Sequence, residues 1–314
     1  MSAARTAGRG LAILSIVLAN VLGGVAYPVQ KLALEGLPPA TVGFLRNAVA
    51  LLPLYLVLRA RRRAGAERPR WTGAEKVRVL LLGTVAYALP MWLGIVGVEL
   101  ASAANASILI LLEPVTIVAI AWLVLGERVG PLKVLGLVLG LMGALAIVSE
   151  GASLRALWAG EAFLGNLLLA LHGILWGCHT PLALPLSRRH DAFDLCLRAT
   201  LLSLLVLGPA ALLEAAAWSA GPTLLPALGW TLGLGLFVSF GATVLWLAAL
   251  RHLQAATVAG FIFLQPLSGV LVGILFLGER LSPAALTGGT LIVVGVALDV
   301  LRTNRRAPQA VAGS

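Results

Sequence analysis

The sequence predicts an all-α integral membrane protein: ten transmembrane helices in two inverted-topology five-helix repeats, with both termini cytoplasmic. Three observations lead there. The composition is too apolar for a water-soluble body, ten apolar segments reach membrane-spanning length, and the two half-chains repeat with an odd number of segments each. Of the 314 residues, 60% are hydrophobic and 11% charged, with a mean hydropathy of +0.98. Soluble domains run at about 45–50% apolar and about 25% charged. So little polar surface excludes soluble single domains, disordered tails and disulfide scaffolds. The two cysteines, Cys178 and Cys196, read as inert packing groups rather than as a sign of an oxidising compartment.

A spanning helix needs about 20 mostly apolar residues. That length finds candidates at 10–32, 38–58, 78–98, 102–125, 131–149, 160–182, 194–216, 227–249, 254–277 and 282–301. No long hydrophilic segment separates them. The first is too long for a signal peptide and lacks a cleavage pattern. The net charge of +10 could suggest a nucleic-acid partner, but binders of that kind spread basic residues over one face among aromatics. Here the basic run Arg59 to Arg63, continued by Arg68, Arg70, Lys76 and Arg78, sits between two apolar segments. With the N-terminus inside, 19 of the 23 Lys and Arg fall on the cytoplasmic side. Lys31, Arg155 and Arg280 fall outside, and Arg46 lies within the second segment. The positive-inside rule therefore places both termini in the cytoplasm, with the lipid bilayer as partner and no nucleic acid.

The repeat is direct. Residues 103–136 align without gaps to residues 255–288, and 13 of those 34 positions are identical. The identities include Pro114 with Pro266, Gly126-Glu127-Arg128 with Gly278-Glu279-Arg280, and Pro131 with Pro283. Shared Leu and Ala are expected by chance in apolar helices; shared Pro and a charged triplet are not. Five segments per half make the second half cross the membrane in the opposite sense. The halves run 1–149 and 150–314, the latter ending in a short basic tail. Inverted repeats are the architecture of alternating-access transporters, with the substrate site near the midplane between halves.

The small-residue patch, the mid-helix Pro and the closing Gly-Glu-Arg of each half resemble the EamA-type drug/metabolite transporter superfamily. The Arg46 helix and the Gly173–Gly177 stretch match it too. The resemblance runs from about residue 10 to residue 301. It implies export of small metabolites across the bacterial inner membrane, with the amino-acid exporters, aromatic amino-acid exporters among them, as the nearest type. The low aromatic content, 6%, departs from the latter, and no motif reads a particular substrate side chain.

Ionisable and polar groups inside a membrane are costly and point to function. Glu113 lies deep in the fourth segment, either as a cavity carboxylate for a substrate ammonium or a proton, or as the ion-pair partner of Arg46. Its repeat counterpart is the neutral Gln265. Thr116 and Ser268 follow one turn later on the same faces. Pro114 and Pro266 each displace the carbonyl four residues earlier, at Ile110 and Ile262. Such carbonyls are tolerated only against protein or a wet cavity, so both helices are expected to line one. In the first segment Asn20, Gly24, Tyr27 and Lys31 share a face, and Gly24–Pro28 is the expected hinge of a gate; close helix packing is the alternative.

His172, Trp176 and His179 recur at i, i+4 and i+7 in the sixth segment. The two histidines stand about 10 Å apart along the helix, so they cannot share a metal. They read as a cation–π and hydrogen-bonding wall, with an interfacial position the alternative for His179. Tyr87 with Pro90, and Ser239, Thr243 and Trp246, form weaker stripes. The Gly-Glu-Arg turns are expected to cap helix ends and not to bind substrate. No metal cluster, nucleophile elbow or phosphate loop occurs, so no enzyme, metal or cofactor is expected. The expected function is a secondary transporter, monomer or homodimer, exporting small metabolites and foremost amino acids. An organic-phosphate or nucleotide-sugar exchanger using Arg46 is the alternative.

Overall fold

The computed structural model describes residues 2–65, 69–101, 109–148, 163–215, 221–268 and 283–305. Arg155, the triplet Gly278-Glu279-Arg280, the half-chain boundary at 149–150 and parts of the fourth and ninth expected spans lie outside the described residues. The helical segments, in chain order, are α1 (Ser2–Leu34), α2 (Pro39–Arg63), α3 (Gly73–Leu100), α4 (Leu112–Leu123) and α5 (Pro131–Val148). They continue with α6 (Phe163–Arg189), α7 (Ala192–Leu213), α8 (Leu224–Ala249), α9 (Ala255–Ser268) and α10 (Pro283–Arg305). No strand occurs among the described residues. Six of these helices, α1, α2, α3, α6, α7 and α8, are long and apolar enough to cross a membrane, and the others carry shorter apolar stretches. Each overlaps an expected span. The outer faces are apolar, with Leu213 86% and Leu225 79% exposed, which suits hydrocarbon and not water.

Hydrocarbon offers no partner for a backbone group, so every irregularity has to bond internally. At the two mid-helix prolines it does. The sequence leaves the carbonyls of Ile110 and Ile262 free; the structure corrects this. Glu113 N–H donates to Ile110 O, and Gln265 N–H donates to Ile262 O, both at 2.9 Å. The chain tightens by one residue just before each proline, turning an i→i+4 bond that Pro cannot make into an i→i+3 bond. In α3 the adjustment goes the other way. A π-helical segment, Thr84–Ala88, precedes Pro90, and Leu89 N–H reaches back five residues to Thr84 O. A longer π segment, Leu234–Ala242, occupies the corresponding part of α8.

The packing pattern follows an exchange of the first five helices with the last five. α5 packs on α10, α2 on α7 and α4 on α9; α3 lies on α6 as α8 lies on α1. The α5–α10 seam shows why. A Cβ at Gly143 would sit 2.5 Å from Gly288 O, and one at Gly288 would sit 2.5 Å from Gly143 O. Gly136 and Gly295 oppose each other in the same manner. Gly136 and Gly288, like Gly143 and Gly295, stand 152 residues apart, so the two contacts map onto one another under the exchange. Lipid tails are as apolar as leucine, so close backbone contact rather than water exclusion holds such helices together.

Helix ends are tied by carboxylates from the other half of the chain. Glu214, after α7, accepts Ala40 N–H and Thr41 N–H at 3.0 and 2.9 Å at the start of α2. Glu127 accepts Ala255 N–H and Ala256 N–H, both at 3.0 Å, at the start of α9. Both match negative charge to unpaired N–H groups and the positive helix end. The first Gly-Glu-Arg turn therefore caps a helix, as expected, though one 128 residues away. Two members of the basic run also have partners. Arg61 binds Asp191 at 2.8 Å and Arg62 binds Asp194 at 2.9 Å. Trp71 stacks on His190 at 3.7 Å and donates Nε1–H to Asp194 at 3.2 Å. This cluster pins the α2–α3 loop to the α6–α7 corner.

The seam makes a testable demand. Gly143→Val is expected to lower the thermal unfolding midpoint, with a loss of about 1–3 kcal/mol from overpacking. Gly10→Ala, where nothing lies within 4 Å of the added Cβ, is the control in the same detergent melt and should not lower the midpoint.

Candidate functional site

A cavity of about 150 Å³ lies at the centre of the bundle, walled by α1, α2, α3, α4, α6, α8 and α9. Its α6 wall is polar and aromatic: His172, Trp176 and His179 all face it. Steps of four and three residues put these side chains on one stripe of a helix. Tyr87, from the π segment of α3, completes the patch. Its ring stacks on Trp176 at 5.5 Å and lies 6.0 Å from His179, while Trp176 and His179 are 5.6 Å apart. His172 Nδ1 donates to the carbonyl of Pro90 at 2.6 Å. A carbonyl only accepts, so Nδ1 carries a proton, and in the neutral ring Nε2 is then the acceptor. The ring fits because α3 has a glycine opposite: a Cβ at Gly94 would meet Nδ1 at 2.5 Å.

Glu113 enters from α4, directly after the tightened turn. It is 5% exposed, and its Oε2 has no hydrogen-bond partner among the described residues. Gln265 enters from α9 at the equivalent place but is tied down: its Nε2 donates to Asn20 Oδ1 at 3.1 Å, and Asn20 Nδ2 donates to Ile16 O. Arg46 faces the cavity from α2, with Nε donating to Ser239 Oγ at 3.0 Å and Nη1 to Gln30 Oε1 at 3.4 Å. Behind it, Asn47 collects Ser239 Oγ–H at 2.8 Å and Tyr87 O–H at 3.4 Å on its Oδ1, and donates Nδ2–H to Ser203 at 2.9 Å. This buried network fixes Arg46 and Tyr87 in place. No ion pair joins Arg46 to Glu113, and no hydrogen bond joins Glu113 to His172, among the described residues. No group of three metal-ligating side chains occurs among them either.

Two matches against known families cover nearly the whole chain. The EamA-like transporter family matches residues 10–149 and again residues 163–301. The chain belongs to the EamA-like transporter family. A protein of Archaeoglobus fulgidus named an uncharacterized transporter is 27% identical, across 93% of this chain and 98% of its own. A protein of Streptantibioticus cattleyicolor named a "probable terminal-alkyne amino-acid exporter" is 28% identical, across 95% and 96%. The uncharacterized transporter YvbV of Bacillus subtilis is 27% identical across 93% and 92%. A solved crystal structure at 19% identity superposes with a TM-score of 0.75, over 96% of this chain and 98% of its own; it shares the fold. All three of these relatives carry transporter or exporter names.

Within this EamA-like transporter, the residues singled out from sequence divide in two. Glu113, Gln265, Arg46, Tyr87, His172 and Trp176 line one cavity. Thr116, Ser268 and Gly24 do not. Gly177 leans on Thr116, and Gly24 leans on the Gln265 carbonyl and Ser268 Oγ; Ser268 Oγ donates to Gln265 O at 2.8 Å. These polar residues sit one turn behind the cavity, where the helices cross. Asn20 is one layer back as the partner of Gln265. The side chain of Tyr27 lies outside the described residues. Pro28 is exposed, Pro114 buried and Pro266 half-buried, and α1 runs unbroken through Gly24 and Pro28. His179 also lines the cavity. Sequence reading missed Asn47, whose position beside Arg46 in an apolar run was the available signal. It also missed Gln30 and Gly94, which only the helix packing reveals.

The Gly94–His172 contact yields a coupling test. Gly94→Ala is expected to displace the imidazole and lower stability by about 1–3 kcal/mol. His172→Ala in the same chain should recover most of that loss, a non-additivity read from the four melts of a double-mutant cycle.

Proposed function

We propose that this EamA-like transporter is a secondary carrier of the plasma membrane that exports small zwitterionic metabolites, foremost amino acids, by alternating access. The observation that carries the reading is the cavity itself. A carboxylate, Glu113, and a guanidinium, Arg46, face one buried chamber without neutralising each other. A zwitterion presents one complementary charge to each. A buried charge without partner is costly, and a ligand that satisfies Glu113 recovers that cost. The similarity to a relative named an amino-acid exporter supports the same class.

On this reading all ten helices cross the bilayer, residues 1–149 and 150–314 form the two inverted halves, and both termini are cytoplasmic. The cavity lies between the halves. The tightened turns before Pro114 and Pro266 and the π segments of α3 and α8 are the places where helix register shifts with least loss of hydrogen bonding. Rocking there, and bending at Gly24–Pro28, opens the chamber to one side at a time.

Solute counterflow in proteoliposomes, with amino acids, sugar phosphates and nucleosides inside and mass-spectrometric readout, tests it. Saturable exchange of amino acids is expected. Exchange of phosphorylated solutes alone would sink the amino-acid reading and assign the chamber to anions through Arg46. Glu113→Gln should fold like the parent protein, since Gln occupies the equivalent position at 265. It should lose about tenfold or more in exchange, or about 1.4 kcal/mol of ligand recognition.

A further inference from the structure

The two halves of the cavity are related by the helix exchange, yet one pair of equivalent walls differs chemically. The register is fixed by packing. Gly24 of α1 rests against the carbonyl of Gln265 and the hydroxyl of Ser268, and Gly177 of α6 rests against the carbonyl of Glu113 and the side chain of Thr116. Gly24 and Gly177 stand 153 residues apart, as do Pro28 and Pro181. The same step carries Ala19, Gly23 and Ala26 onto His172, Trp176 and His179. All six line the cavity. At these three positions one wall carries nothing larger than a methyl group, where its equivalent carries two imidazoles and an indole.

The exchange also explains the unpartnered carboxylate. Asn20, the partner of Gln265, has Gly173 as its equivalent 153 residues on. Gly173 has no side chain to offer, and a Cβ there would press on Leu109 O at 2.8 Å. Glu113 thus keeps a buried Oε2 without a partner among the described residues, while Gln265 is satisfied. The same half of the cavity holds the stacked Tyr87–Trp176 pair and the Nε2 acceptor of His172. A carboxylate, an imidazole acceptor and aromatic faces are together the complement of an ammonium group, and aromatic faces attract a cation within about 6 Å.

Building on the amino-acid reading, we propose that the cavity is polarised across its pseudo-two-fold. The α4–α6 half, Glu113 with Trp176, Tyr87 and His172, takes the ligand's amine. The bare α1 face, Ala19, Gly23 and Ala26, takes its apolar variable group, so these three residues set how large that group can be. Arg46 and Gln30 remain for the carboxylate but are not required for the amine to bind. The ligand class this site recognises is a primary amine carrying an apolar substituent, of which an amino acid is the carboxylated case.

The test uses the purified full-length protein and isothermal titration with leucine, isoamylamine (leucine without its carboxylate), 4-methylpentanoate (leucine without its amine) and methylamine. Leucine counterflow runs in parallel. Isoamylamine is expected to bind and 4-methylpentanoate not to bind. Glu113→Gln and Trp176→Leu should each weaken isoamylamine at least tenfold. Gly23→Ala fits, its Cβ lying 3.4 Å or more from Gln265. With Ala26→Val it should weaken isoamylamine several-fold and leave methylamine unchanged. Amine binding indifferent to both Glu113→Gln and Trp176→Leu overturns the amine half-site. So does the absence of any amine binding. Size variants that weaken both amines equally overturn the role of the α1 face. Isoamylamine binding without leucine exchange supports the half-site and refutes the amino-acid reading. Leucine exchange that survives Glu113→Gln, without amine binding, does the reverse.

Discussion

Backbone-to-backbone contact at positions without a side chain is the constraint on which the rest of this structure depends. In lipid, apolar side chains gain nothing by turning inward, so helices associate where small residues let their backbones approach. The α5–α10 seam does this with two glycine pairs. Gly24 and Gly177 do it at the centre, each set against the carbonyl before a mid-helix proline. Those contacts fix the depth at which α1 meets α9 and α6 meets α4. They thereby set which residues of each helix reach the cavity and which stay one turn behind it. Thr116 and Ser268 share a helical face with Glu113 and Gln265, and the crossing glycines rather than the periodicity exclude them.

The local irregularities follow from the same environment. A proline in water can leave a carbonyl to solvent; here the carbonyls of Ile110 and Ile262 are bonded by a one-residue tightening, and Pro90 is preceded by a widened π turn. Each adjustment rotates the side chains beyond it. Glu113 and Gln265 stand immediately after a tightened turn, and Tyr87 lies within a π segment, so the groups that give the cavity its character sit where the helix departs from ideal geometry.

Symmetry and its loss divide the work of the two halves. The shared features, glycines at crossings and the tightened turns before Pro114 and Pro266, hold the fold. The unshared ones, Glu113 against Gln265, Gly173 against Asn20, and His172, Trp176 and His179 against Ala19, Gly23 and Ala26, concentrate in the chamber. A solute with two unlike ends suits a chamber with two unlike halves. The Trp71–His190 stack and the Asp191 and Asp194 ion pairs give part of the basic run a structural task.

Much of this was legible in the chain. Apolar length located every helix, because a segment that spans hydrocarbon has almost no other option for its backbone, though its ends shifted by up to about ten residues. The gapless repeat anticipated the packing of equivalent helices, α4 on α9 and α5 on α10, and the isolated charge of Glu113 identified a chamber residue, since a membrane admits few such groups. Register between distant helices was not legible. Which glycine touches which carbonyl depends on three-dimensional crossing, so the cavity places of Gln30, Gly94 and His179, the hub at Asn47 and the separation of Arg46 from Glu113 emerged only on packing. A local pattern states which residues share a face of one helix. Only tertiary structure decides what that face meets, because the deciding contacts, such as those of Gly24 and Glu127, lie more than 100 residues away along the chain.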